Sequence, residues 1–143
     1  MQTGYYLSHF RHLATHGFVV IAPQFPDTQH GELAEDLLYC VQYLRQQNTS
    51  PSSRFRGLLD TTFIGPTGHS MGGGASLLAA ARDSRVKVVA PLAAAETTPS
   101  AIAVMNQIMG IVYLIAGDQM ELRSLRPIRS RCTTMQIRSK ACR

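Results

Sequence analysis

Apolar positions along this chain alternate between short β-prone runs and longer stretches with a helical repeat. Residues 5–15 read as a short helix stopped by Gly17. Phe18, Val19, Val20, Ile21 and Ala22 form a continuous apolar run rich in β-formers, as expected of a strand buried on both faces. From 31 to 47, Ala34, Leu37, Leu38, Val41 and Leu44 fall on one helical face. Glu32, Glu35 and Asp36 occupy the first turns of that helix, where its dipole favours negative charge. Thr61, Thr62, Phe63 and Ile64 make a second β-prone run, and residues 77–81 (Leu-Leu-Ala-Ala-Ala) form helix readily. Residues 86–92 predict a strand, 100–108 a helix and 111–116 a last strand, with loops over 23–30 and 48–57. Such alternation predicts an α/β fold, a mostly parallel sheet flanked by helices, without internal repeats.

Gly68-His69-Ser70-Met71-Gly72 stands between the second β-prone run and the alanine-rich helix. A serine hydroxyl is a poor nucleophile at neutral pH. To attack a carbonyl it must be held exposed, next to a base and beside donors for the developing oxyanion. A sharp strand-to-helix bend with serine at its apex does this, and glycines two residues to either side let strand and helix approach closely. By composition alone a G-x-S-x-G arises in roughly one chain in twenty of this length. The strand before it and the helix after it are therefore what make the pattern informative.

Together with the segment LATHGFVVIAP at 13–23, the elbow GHSMGGG at 68–74 resembles the α/β-hydrolase superfamily. Within it the chain is most similar to the group holding cutinase-like polyester hydrolases, chlorophyllases, platelet-activating-factor acetylhydrolases and dienelactone hydrolases. The similarity spans roughly residues 4–120. It implies a Ser-Asp-His triad, a mostly parallel sheet, and ester hydrolysis without a cofactor. The substrate it implies is a small-molecule or polymeric ester.

At 143 residues and 45 % hydrophobic content, one domain with a real core is expected. Cys40, Cys132 and Cys142 show neither metal-ligand spacing nor a disulfide framework, and Cys40 sits in the helical pattern as a core thiol. No apolar run reaches the length of a membrane span, and the N-terminus carries no signal peptide. In the family the second oxyanion donor comes from a loop after an earlier strand, and the expectation is that the chain begins about where that loop ends, with residues 2–5 as its remnant. The expectation is thus an incomplete α/β-hydrolase core over 1–121, a partial fold whose uncovered sheet leaves it marginally stable or self-associating.

Residues 122–143 hold seven of the fourteen basic residues and no acidic one, so the formal +5 belongs to this tail. The remainder has seven basic against nine acidic residues, −2. A basic arm for nucleic acid, a solvated extension, and a segment foreign to the family are the three readings. Nucleic acid is disfavoured because the tail has no aromatic residue for base stacking.

Ser70 is the candidate nucleophile, and the backbone N–H of Met71 the candidate oxyanion donor. Asp118, following the strand at 111–116, is the candidate acid. The family often places its aspartate at the position of Met120, so Glu121 and, after the preceding strand, Glu96 stay open as alternatives. All five histidines (His9, His12, His16, His30 and His69) precede Ser70, whereas the family order puts histidine last. His69 belongs to the bend itself, and His30, in a loop with Asp27, would require a rearranged triad. A non-catalytic binding module of the same fold is the competing expectation.

Overall fold

The computed structural model describes residues 3–24 and 29–117. A 3-10 turn (Thr3–Tyr6) leads into helix α1 (Leu7–Thr15), which closes through His16 N–H to Leu13 C=O and Gly17 N–H to Ala14 C=O. No residue of α1 is buried. Residues 18–22, expected as a doubly buried strand, are unpaired. No backbone hydrogen bond joins Val19–Ala22 to another described residue, and Phe18 is 60 % exposed. A strand needs a neighbour to satisfy its N–H and C=O groups, and no described strand lies beside this run.

Helix α2 (His30–Thr49) follows, one residue earlier and two later than the periodicity implies. It buries Leu33, Ala34 and Cys40. Burial, then the charge of Asp36, pushes the Cys40 thiol up, which keeps it protonated and inert. Beyond α2, the Asn48 side chain clamps the following loop by accepting from Leu59 N–H and donating to Leu59 C=O, both at 3.0 Å.

Strand β1 (Thr67–His69), helix α3 (Met71–Arg82), strand β2 (Val88–Leu92) and strand β3 (Ile111–Val112) build the centre. The sheet is parallel in the order β1-β2-β3, pairing Thr67 with Ala90 and Val88 with Ile111. The β-prone run at 61–64 touches this sheet only through an Ile64–Val86 bridge, and the strand itself begins later, at Thr67. Residues 100–108 form turns and a short 3-10 helix (Met105–Gln107) instead of the expected α-helix. The segment carries three β-branched residues and ends two residues before Gly110, and the Glu96 carboxylate accepts from Ile102 N–H at 3.4 Å. The basic residues of 122–143, and the division of the chain at 121, lie outside the described residues.

Helix α3 is apolar nearly all round because it is packed on two sides. Leu77 and Ala80, three apart, join Val86, Val89, Ala94 and Ala101 in the core under the sheet. Leu78 and Ala79 face the other way and meet Ala34, Leu37 and Leu38 of α2. The sheet is covered on this face alone among the described residues. Val89 and Pro91 are buried, while Val88, Ile111, Tyr113 and Ile115 on the opposite side are each more than a third exposed.

At the end of α3, Asp83 is nearly buried and its carboxylate takes Arg85 Nε and Nη2 at 2.7 and 2.6 Å. Those hydrogen bonds hold the Asp83 carboxyl below its ordinary range. An acid whose folded pKa is depressed stabilises the fold above its unfolded pKa, and that contribution is lost as pH falls through the folded value. Asp83→Asn should therefore cost about 1–2 kcal/mol at pH 7. The deficit should begin to shrink as pH falls below the usual carboxylate value of about 4 and vanish only below the depressed folded value. Urea melts of both proteins at several pH values check this, and a deficit constant down to pH 2 refutes it. Leu77→Ala should cost about 2–5 kcal/mol, while Tyr39→Ala, at a position 70 % exposed, should leave the melt within about 0.5 kcal/mol.

Candidate active site

Ser70 joins β1 to α3 with φ 53° and ψ −117°, a left-handed conformation that a residue with a side chain adopts only under constraint. The constraint is explicit. Ser70 N–H donates to Leu92 C=O at 3.0 Å, while Ser70 C=O accepts from Gly73 N–H, Gly74 N–H and Ala95 N–H at 3.0–3.1 Å. Strand, helix and the loop after β2 are thus tied to one residue. Gly68 and Gly74 permit the closeness. A Cβ on Gly68 would stand 2.5 Å from the Gly72 carbonyl, and one on Gly74 would run into the Thr97 side chain.

The bend puts Ser70 where β1 and β2 both end, at the C-terminal rim of the parallel sheet. Ligands of open α/β sheets bind at that rim. Met71 opens α3, and its N–H makes no backbone hydrogen bond to a described residue. Such a free donor at the positive end of a helix suits an oxyanion. Beside Ser70, Ala93 is a second residue with positive φ (45°), held by its N–H to Ile115 C=O at 2.7 Å. A polar groove of about 350 Å³, lined by Gln42, Arg45, Asn48, Thr61 and Arg85 among others, opens at the opposite ends of the strands, away from Ser70.

The remaining candidates scatter. Asp118, Glu121 and Met120 lie outside the described residues, as does Asp27. Described chain reaches Gly117 after Ile115 pairs with Leu92, so it arrives at the Ser70 rim. Glu96 shares the loop of Ala95 but is engaged with the turn at Ile102. His12 and His16 stack on the surface of α1 with ring centroids 4.5 Å apart, and His16 Nδ1 donates to the His12 carbonyl. His30 opens α2, where its Nδ1 accepts Thr98 N–H at 3.1 Å. Its proton therefore sits on Nε2, which is buried without a hydrogen-bond partner among the described residues. His69 is exposed and its Nδ1 lies 3.0 Å from the Tyr6 hydroxyl. Among the described residues no histidine hydrogen-bonds the Ser70 hydroxyl.

Three participants were not foreseen from the sequence. Ala93 and Ala95 shape the loop around Ser70, and nothing about alanine announces a positive φ or a donor aimed at a serine carbonyl. Tyr6 was visible only as an aromatic residue one helical turn before Phe10.

Compared with known families, residues 7–120 match the family model PETase, described as PET hydrolase-like. The match spans α1, α2, the bend at Ser70 and all three strands, and it supports hydrolysis of esters in general. On that extent of agreement the chain belongs to the PET hydrolase-like family, a member of the α/β-hydrolase and cutinase-like group.

Proposed function

We propose that this chain is a serine hydrolase of carboxylic esters in which Ser70 carries the acyl group. The observation that bears the proposal is the left-handed Ser70 backbone at the rim of the sheet, directly before a helix whose first N–H has no partner among the described residues. In the proposed reaction Ser70 Oγ attacks the ester carbonyl carbon and loses its proton, and the carbonyl oxygen becomes an oxyanion facing Met71 N–H. Collapse of that intermediate breaks the bond to the alcohol, which leaves with a proton, and water then hydrolyses the acyl-serine. Asp118 is the proposed acid because the described chain arrives at the same rim one residue earlier. No cofactor enters these steps.

In the proposed reaction the Ser70 hydroxyl must give up its proton to a base. Among the described residues no histidine reaches the Ser70 hydroxyl, since His69, His16 and His30 hydrogen-bond elsewhere. Removing the histidine of a working triad costs about a millionfold in kcat, while donors to the oxyanion retain a residual advantage over water. The same observation favours a second reading, a non-catalytic binding module of the α/β-hydrolase type. The two differ in whether Ser70 ever becomes acylated.

A fluorophosphonate probe in long incubation should modify Ser70 and no other serine, and Ser70→Ala should abolish the adduct by mass spectrometry. A folded protein that stays unmodified favours the binding module. With an activated aryl ester, alcohol release should approach one equivalent per chain without sustained turnover. Gly68→Ala places a methyl against the Gly72 carbonyl and should cost about 1–3 kcal/mol in a thermal melt, slowing adduct formation with it. A Gly68→Ala protein with unaltered melt and labelling would show that the bend tolerates a side chain there and is not built on close approach.

A further inference from the structure

We infer that Tyr6 is a positioning residue for the bend, latching the N-terminal arm of the chain onto His69, the residue that enters it. The arm, residues 3–17, is attached sparsely. Neither the 3-10 turn nor α1 packs on any other named helix or strand, and α1 buries nothing. The Tyr6 hydroxyl nevertheless lies 3.0 Å from His69 Nδ1, with the two rings 6.2 Å apart and tilted by 41°. Phe10, one turn along α1, also lies against Tyr6, with ring centroids 6.5 Å apart. No other hydrogen bond or ion pair among the described residues joins 3–17 to 29–117.

The position of that contact is what gives it a role. His69 pairs with Leu92 as the last residue of β1, and Ser70 N–H donates to the same Leu92. Backbone bonds therefore hold the main chain on both sides of the His69 side chain, and Tyr6 fixes the side chain itself. With neutral imidazole the Tyr6 hydroxyl donates to Nδ1, which assigns the ring proton to Nε2. The latch sets the arm against the rim and gives His69 one rotamer and one tautomer beside the serine. Its consequence for acylation rests on the serine-hydrolase reading, whereas the latch itself does not.

Tyr6→Phe in the full chain removes the hydroxyl and keeps both ring contacts. Losing one exposed hydrogen bond should lower amide-exchange protection over residues 7–17 about fivefold. The imidazole nitrogens of His69 should change their ¹⁵N shifts as the tautomer preference is lost, a signature that altered packing alone does not produce. His69→Phe should loosen the arm equally, and the double variant should add nothing further. It also keeps the test open if Tyr6→Phe melts. Fluorophosphonate labelling of Ser70 should slow in Tyr6→Phe while the probe concentration for half-saturation stays the same. Unchanged exchange in both single variants, with unchanged His69 shifts in Tyr6→Phe, overturns the latch whatever Ser70 does. A wild-type chain that resists labelling while its His69 shifts respond to Tyr6→Phe counts for the latch and against the hydrolase reading alone.

Discussion

One carbonyl oxygen, that of Ser70, collects three backbone N–H groups from two different elements, and the architecture around the site follows from that convergence. Holding a non-glycine residue at φ 53° costs of order 1–3 kcal/mol. Four backbone hydrogen bonds at Ser70, each contributing about 0.5–1.5 kcal/mol, exceed that cost, but only when all their partners are present. Two partners belong to α3 and two flank or end β2. The bend therefore cannot form as a local turn. It exists only while α3 and β2 are docked against β1, which makes the geometry of the serine a report on the packing of the whole centre.

Close packing in turn dictates composition. Helix α3 must reach the strand it grew from, and the bulk of a Cβ on Gly68 would separate them, while one on Gly74 would push the helix off the loop at Ala95 and Thr97. Past the glycines the helix meets the sheet through Leu77 and Ala80 and α2 through Leu78 and Ala79, so small and large residues alternate around it. Its outer end carries charge instead. Arg82 reaches Glu35 of α2 across the surface, a contact that solvent screens to little effect. The Asp83–Arg85 pair is different in kind, since its carboxylate is nearly out of water and takes most of its hydrogen bonds from one guanidinium.

Those elements that satisfy their own backbone were legible in the sequence. Helices α2 and α3 and the bend between β1 and α3 carry local signals, a repeat of 3.6 and glycines at fixed offsets from Ser70. Where hydrogen bonds must come from elsewhere, the pattern misled. The run at 18–22 has strand composition, yet pairing is a property of a neighbour, and no described strand adjoins it. Residues 61–64 have β propensity, but the ladder with β2 is set by the register Thr67–Ala90 and begins later. The segment at 100–108 lacks a strong helical face and turns in 3-10 fashion near the Glu96 carboxylate. Within the candidate site, the bend at Ser70 was legible because its backbone demand is written in one pentapeptide with glycines on either side. Ala95 was not, because it contributes only a main-chain N–H, a group that every residue but proline possesses.

This asymmetry extends to the chemistry. In the proposed reaction the half of the site that receives a carbonyl is made of main chain: the bend, the Met71 N–H and the end of the helix dipole. Such groups depend on the fold and not on any one side chain, and each oxyanion donor is worth about 10²–10³ in rate where acyl transfer operates. The half that moves a proton depends on a particular imidazole at a particular place. His30 is committed to Thr98, His12 and His16 to the surface of α1, and His69 to Tyr6. Folding this chain therefore presents the Met71 N–H beside the bend without drawing any described histidine to the Ser70 hydroxyl. In the proposed reaction, recognition of an ester and its turnover are separable because one is a property of the backbone and the other of a side chain.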